Sequence, residues 1–303
     1  MRDYEDVYSG FVHPVSRTNW TSDVEVKSKL DFVNLDDEKN IKSGGVPIIS
    51  DGHTAFIDSS DSHCMVDGNS GSKKSLCVFM TLICTLVKAS ENFVVTDPKG
   101  ELYRRTAAYA KHKGYKIYVT NFRDYNGDGY NPLSYPAKLY KSGDVDKAAT
   151  VSSELVSALA QRQMESSKID PFWPDTAKAF NNGILPFIYS SYPNLDEINF
   201  LSLSDYYTTR TVGNLTEYLN SGIGVTNSAT QNLRTVLSEP EKTLMSTLST
   251  CSSFIQPFLQ NDKLARMLSH STFDLDELTA EKTALYIITD DASPICDPIV
   301  GVL

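Results

Sequence analysis

Cys64-Met-Val-Asp-Gly-Asn-Ser-Gly-Ser-Lys-Lys-Ser75 is the stretch that decides how this chain is read. A phosphate-binding loop has the pattern G-x-x-x-x-G-K-[ST], and Gly68, Lys74 and Ser75 occupy three of its four fixed positions. Successive backbone N–H groups of such a loop line a concavity that holds phosphate. The lysine reaches the terminal phosphates, and the hydroxyl ligates magnesium. The expected phosphate-binding set is therefore Gly68, Asn69, Ser70, Gly71, Ser72, Lys73, Lys74 and Ser75, with Gly71 and Ser72 as backbone donors and Ser75 as the metal ligand. One position departs from the pattern. Lys73 stands where a glycine would let the backbone approach phosphate without a Cβ. Its charge either adds to anion binding or its side chain crowds the loop, and on the crowding reading Lys73→Gly raises nucleotide affinity. A ligand-free Gly/Ser turn is the plain alternative.

The flanks supply the setting that the loop requires. His63–Asp67 reads as a short apolar strand, and the apolar run from Leu76 to about Lys88 reads as a helix buried on nearly every face. Upstream, Val46–Ile49 and Thr54–Asp58 flank Ser50-Asp-Gly52, a hairpin signal. The first 45 residues are polar and weakly periodic, a surface extension. Downstream, Asn92–Thr96 is a strand, Glu101–His112 a helix and Lys116–Thr120 a strand, an alternation that indicates a parallel α/β sheet. Asp97-Pro-Lys-Gly-Glu101 closes the first of these strands. Asp97 is either a ligand-binding residue at a strand's carboxyl end or the cap of the helix after it.

From Val145 to about Leu268 amphipathic helical patterns dominate: Val145–Gln163, Asp175–Tyr189, Ser228–Ser238 and Pro240–Phe258. Thr283–Thr289 returns to an apolar strand. Asp124-x-Asn-x-Asp-Gly129 matches half of a calcium loop, but Tyr135 stands where the closing glutamate belongs, so a turn is expected.

Composition narrows the class. With 41% hydrophobic and 22% charged residues the chain is a folded globular protein. A net charge of −10 argues against general nucleic-acid binding, although a local basic channel is compatible with it. Five cysteines without metal-ligand spacing suggest reduced thiols and a cytoplasmic setting. Leu76–Leu86, the longest apolar run, falls short of the roughly 20 residues that span a bilayer.

In order, the loop at 68–75, Phe93-Val-Val-Thr-Asp-Pro-Lys-Gly-Glu-Leu102, Gly114–Asn121, Gly129-Tyr-Asn-Pro-Leu133, Asp170-Pro-Phe-Trp173 and Thr283–Asp291 resemble the type IV coupling protein family. These are ATPases that deliver DNA–protein substrates to conjugation and type IV secretion channels. The resemblance covers roughly residues 45–303 and implies an α/β, RecA-like phosphate-loop sheet interrupted by an all-α domain. On that plan residues 1–45 are an extension, 46–145 the first part of the nucleotide-binding domain, 146–275 the all-α domain, and 276–303 the return to the sheet.

The resemblance further implies ATP and Mg2+ as cofactors, and relaxase or secreted protein cargo at the all-α domain. It also implies DNA, other secretion components and a homo-hexamer as partners of the full-length protein, at the cytoplasmic face of the membrane. The family's acidic strand and its N-terminal anchor are not found in this sequence. The expectation is thus a fragment that binds nucleotide without turning it over. The alternatives are a cargo-binding adaptor with a degenerate loop and, more remotely, a nucleotide kinase.

Overall fold

The computed structural model describes residues 22–166, 170–220, 228–280 and 282–303. The chain divides into two compact units, the first ending at Thr85 and the second starting at Leu86.

The first unit holds more structure than its polar composition suggests. Ser22 Oγ accepts the Glu25 N–H at 3.3 Å and caps α1 (Asp23–Ser28), using the S-x-x-E signature at 22–25. β1 (Asp31–Asn34), β2 (Val46–Ser50) and β3 (Thr54–Asp58) form an antiparallel sheet in the order β1-β3-β2. The β2–β3 hairpin lies where the sequence placed it. Asp51 Oδ1 closes its turn by accepting the N–H groups of His53 and Thr54. β1 was not legible because only Val33 of its four residues is buried. Val33, Ala55 and Ile57 form the small core, and Phe32 meets Phe56 edge-on at 5.4 Å on the other face.

Two expectations around the loop are corrected. Residues 63–67 form no strand: they pair with no ladder, and Met65 is 90% exposed. An apolar triplet is not enough for a strand without a neighbour to take its backbone hydrogen bonds. The segment after the loop opens as a single π-type turn, Ser75–Phe79, before α2 (Met80–Ala89). Leu76, Cys77 and Phe79 in that turn are exposed, so burial begins only at Met80. Within this unit α2 is tied down through Thr85 Oγ1, which donates to Leu82 O or Gly45 O and accepts the Gly45 N–H at 3.2 Å.

In the second unit β4 (Phe93–Thr96), α3 (Glu101–His112) and β5 (Lys116–Asn121) follow the expected alternation. β5 turns back into the two-residue β6 (Asn126–Gly127), so the segment read as a long turn is a tight hairpin. Asp128 is engaged inside it: Oδ2 accepts the Val119 N–H at 2.7 Å and Oδ1 the Thr272 hydroxyl at 2.8 Å.

The helices then run in sequence: α4 (Ser134–Ser142), α5 (Val145–Ser166), α6 (Phe172–Ser191), α7 (Phe200–Ser204), α8 (Thr209–Asn220), α9 (Ser228–Leu237), α10 (Glu241–Leu259), α11 (Asp262–Met267) and α12 (Glu277–Ala280). β7 (Thr283–Ile288) returns the chain to the sheet, and α13 (Asp297–Val300) follows it. β7 lies between β4 and β5 and pairs with both in parallel, giving the order β4-β7-β5-β6. The whole helical run is therefore inserted between two neighbouring strands.

The hydrophobic pattern explains this arrangement. All six residues of β7 are buried, as the centre of a parallel sheet demands, whereas Val94 on β4 is 53% exposed. The helical core is built on α6, where Ala177, Phe180, Ile184 and Ile188 recur at helical spacing and are fully buried. Phe180, Ile184 and Ile188 each contribute roughly 1.5–3 kcal/mol by leaving water. The α/β class stands, as a small sheet with parallel pairs beside many helices. Three parallel strands do not by themselves define a RecA-like order.

Candidate functional site

The loop at 68–75 lies in the first unit and is shaped by its own hydrogen bonds. Asp67 Oδ1 accepts the Gly68 N–H at 2.7 Å, and Asn69 O accepts the Ser72 N–H at 3.1 Å. The second bond closes a turn over Asn69–Ser72, with Gly71 at its third position at φ 83°, a conformation that favours glycine. At Gly68 a Cβ would sit 2.8 Å from Ser72 Oγ, so a larger residue there would displace the Ser72 hydroxyl. The Lys74 ammonium folds back on the loop, donating to Gly68 O and, at 3.4 Å, to Asn69 O. Ser75 opens the helix, and its half-buried hydroxyl makes no hydrogen bond among the described residues.

Lys73 explains why the family pattern wants glycine at its position. Its φ is 61°, in the left-handed region. A residue with a Cβ pays about 1–2 kcal/mol for that conformation, and glycine almost nothing. The misfit is thus one of backbone conformation. The side chain is exposed, and the Lys73 carbonyl accepts the Cys77 N–H at 2.9 Å, which starts the helix.

A nucleotide's phosphates fit parts of this loop and not others. Gly68 and Gly71 keep it open, the two lysines give it positive charge, and Ser75 offers a free hydroxyl at a helix start. The Ser72 N–H, expected as a phosphate donor, is already bonded within the loop.

Asp97 belongs to the second unit and is 3% exposed. Its Oδ1 accepts the Glu101 N–H at 3.1 Å and its Oδ2 the Tyr103 N–H at 2.9 Å. Both oxygens are taken up by the first turn of α3, so Asp97 is a helix cap in this structure.

Two further motifs prove to be built into the frame. Asn131 of Gly129-Tyr-Asn-Pro-Leu133 is fully buried. Its side chain donates to Ile198 O at 2.7 Å and accepts the Leu133 N–H at 3.0 Å, while its backbone N–H donates to Ser271 Oγ at 3.0 Å. Asp170 of the Asp-Pro-Phe-Trp motif accepts the Phe172 N–H at 3.0 Å at the start of α6. There Phe172 and Trp173 meet edge-on at 5.0 Å.

Residues 19–297 match the model of a family described as type IV secretory system conjugative DNA transfer. The chain belongs to that family. No individual curated protein matches it. For a member of this DNA-transfer family the match embraces the loop, the Asp97 turn and the whole inserted helical run. Among the described residues no helix is long and apolar enough to cross a membrane.

The sequence reading missed a cluster in the second unit. Lys138 on α4 is clasped by Asp274 and Asp276, the latter at 2.6 Å. Beside it Glu277 accepts from the Lys116 ammonium at 2.8 Å and from the Tyr118 hydroxyl at 2.6 Å. Burial is the largest influence on the Asp274 carboxyl and pushes it up, but the Lys138 hydrogen bond, the Asp276 N–H and the Lys138 charge together outweigh it and the net shift is down. The Glu277 carboxyl is lowered by Lys116 and then by Tyr118. Lys138, Asp274 and Glu277 line a cleft of about 300 Å³ together with Tyr130, Tyr135 and Phe273. The acidic run at 274–277 could have signalled it; its lysine partners, more than a hundred residues upstream, could not.

None of the five cysteines forms a disulfide. Cys251 and Cys296 are buried, and burial pushes the Cys251 thiol well up. Cys64 and Cys77, on either side of the loop, are exposed instead of buried.

Proposed function

We propose that the chain is the nucleotide-binding part of a coupling ATPase of conjugative DNA transfer, which recruits DNA–relaxase or protein cargo to a type IV secretion channel. The observation that carries this reading is the family match over residues 19–297 together with the glycine-shaped loop at 68–75. On this reading the sheet is part of a RecA-like core, and residues 146–275 form an all-α domain that meets cargo. The full-length protein works at the cytoplasmic face of the membrane with DNA and other secretion components, as a homo-hexamer.

Gly68–Ser75 holds the phosphates of ATP, and Ser75 ligates the accompanying magnesium. That ion supplies charge neutralisation at the phosphates. Activation of water needs a carboxylate free to orient it, and Asp97 has both oxygens engaged in capping α3. On this reading the chain binds ATP and does not turn it over. Equilibrium titration with Mg-ATP beside a phosphate-release assay tests this: the expected result is saturable binding without steady release. Absence of binding refutes the nucleotide site, and steady release refutes the lack of turnover.

A second reading, a cargo adaptor with a degenerate loop, is favoured by one observation. The Ser72 N–H and the Lys74 ammonium are both occupied within the loop. Cargo binding with no nucleotide binding at any magnesium concentration selects it.

A further inference from the structure

Two adjacent lysines are held by the loop in opposite ways. Lys74 is half-buried, and its ammonium is bonded to the carbonyls of Gly68 and Asn69 across the loop. An ammonium has three donors, so two of the three hold the loop's own backbone. Drawing Lys74 out to a phosphate would release those carbonyls and open the turn that Gly68–Ser72 forms. Lys73 is exposed, and its ammonium has no hydrogen-bond or ion-pair partner among the described residues. It is carried on a flexible four-carbon stem, two residues before the helix begins. Its backbone is held in the left-handed conformation by the bond from the Cys77 N–H to its carbonyl. In a chain of net charge −10, it is an uncommitted cation beside the expected phosphate position.

We propose that the two lysines divide what one lysine does in an ordinary phosphate loop: Lys74 is the clasp that keeps the loop closed, and Lys73 is the cation that meets the terminal phosphate of a nucleoside triphosphate. This rests on the phosphate-loop reading above. It reverses the sense of the sequence departure, because the residue that strains the backbone is also the one that attracts the ligand. Lys73 is a binding residue, and Lys74 a positioning residue that acts through the loop's shape.

The test separates strain from charge at one position. The wild-type chain, Lys73→Arg, Lys73→Asn and Lys73→Gly are titrated by calorimetry with Mg-ATP, Mg-ADP and AMP, and their melting temperatures are recorded. Asparagine and glycine tolerate left-handed backbone, so both variants should melt above wild type, which also shows that they fold. Both should nonetheless bind ATP about tenfold more weakly, the loss expected of one charge-assisted hydrogen bond. ADP affinity should change much less, and Lys73→Arg should keep the ATP preference. A purely structural role for Lys73 would move the melting temperature and leave the ATP-to-ADP ratio alone.

Lys73→Asn or Lys73→Gly binding ATP as tightly as wild type, or more tightly, overturns the division of roles and leaves the nucleotide site standing. The same holds if Lys73→Gly binds where wild type does not. If neither wild type nor any variant binds ATP or ADP, the phosphate-loop reading fails, and the inference with it.

Discussion

Replacing Asp97 with alanine separates the two roles that the sequence left open for it. In the structure its carboxylate is 3% exposed and accepts two backbone N–H groups, from Glu101 at 3.1 Å and Tyr103 at 2.9 Å. Hydrogen bonds to a charged group contribute about 1.5–3 kcal/mol each, and removing a capping side chain typically costs about 1 kcal/mol. Two bonds lost at a buried helix start should therefore cost about 3 kcal/mol. Asp97→Asn keeps one acceptor oxygen and should lose about half as much. Urea unfolding followed by circular dichroism reads the change, and with a slope of about 1–3 kcal/mol per molar the alanine variant's midpoint should fall by about 1–3 M. An unchanged midpoint for Asp97→Ala would refute the capping argument. A loss of ATP affinity at unchanged midpoint would return Asp97 to the nucleotide site.

Two other outcomes follow from the second unit. Asn131→Ala strips two side-chain hydrogen bonds from a fully buried position and leaves Ile198 O and the Leu133 N–H without a partner. It should lower stability by about 2–4 kcal/mol by the same urea measurement, and a smaller change than 1 kcal/mol would show that the Gly129–Leu133 motif is not the hub described. The Glu277 carboxyl has its pKa depressed by Lys116 and then Tyr118, so its contribution is present above its ordinary 4.5 and disappears as pH falls through the lowered value. Comparing urea midpoints of wild type and Glu277→Gln from pH 6 to pH 3 should show the two curves converging below pH 4.5; parallel curves would contradict the assignment.

How much of this was legible in the sequence depended on burial. β4, β5 and β7 are short apolar runs with one packing solution, and α3 was read to the residue. The long helices α5, α6, α9 and α10 announced themselves by their apolar spacing, with errors only at the ends. β1 was hidden because three of its four residues face water, and β6 because two residues carry no periodicity. α4 begins beside Pro132 and holds Pro136 in its first turn, so turn chemistry masked it. The false strand at 63–67 had the right residues and no partner strand.

The site shows the same limits. Gly68, Gly71, Lys74 and Ser75 were legible as a motif, since each answers a local demand of the loop. That Lys73 is left-handed, that Lys74 is clasped to carbonyls, and that Asp97 spends both oxygens on α3 are facts of three-dimensional bonding. Spacing in the sequence could not supply them.

The central claim is that a nucleotide binds on the loop at 68–75, and Cys64 and Cys77 are natural reporters of it. Both are exposed and flank the loop, while Cys251 and Cys296 are buried. Alkylation rates of each thiol, measured by mass spectrometry with and without saturating Mg-ATP, test the claim. The account predicts that Mg-ATP slows alkylation of Cys77, and of Cys64 to a lesser extent, with Cys251 and Cys296 slow throughout. Unchanged rates at Cys64 and Cys77 under saturating Mg-ATP would contradict it.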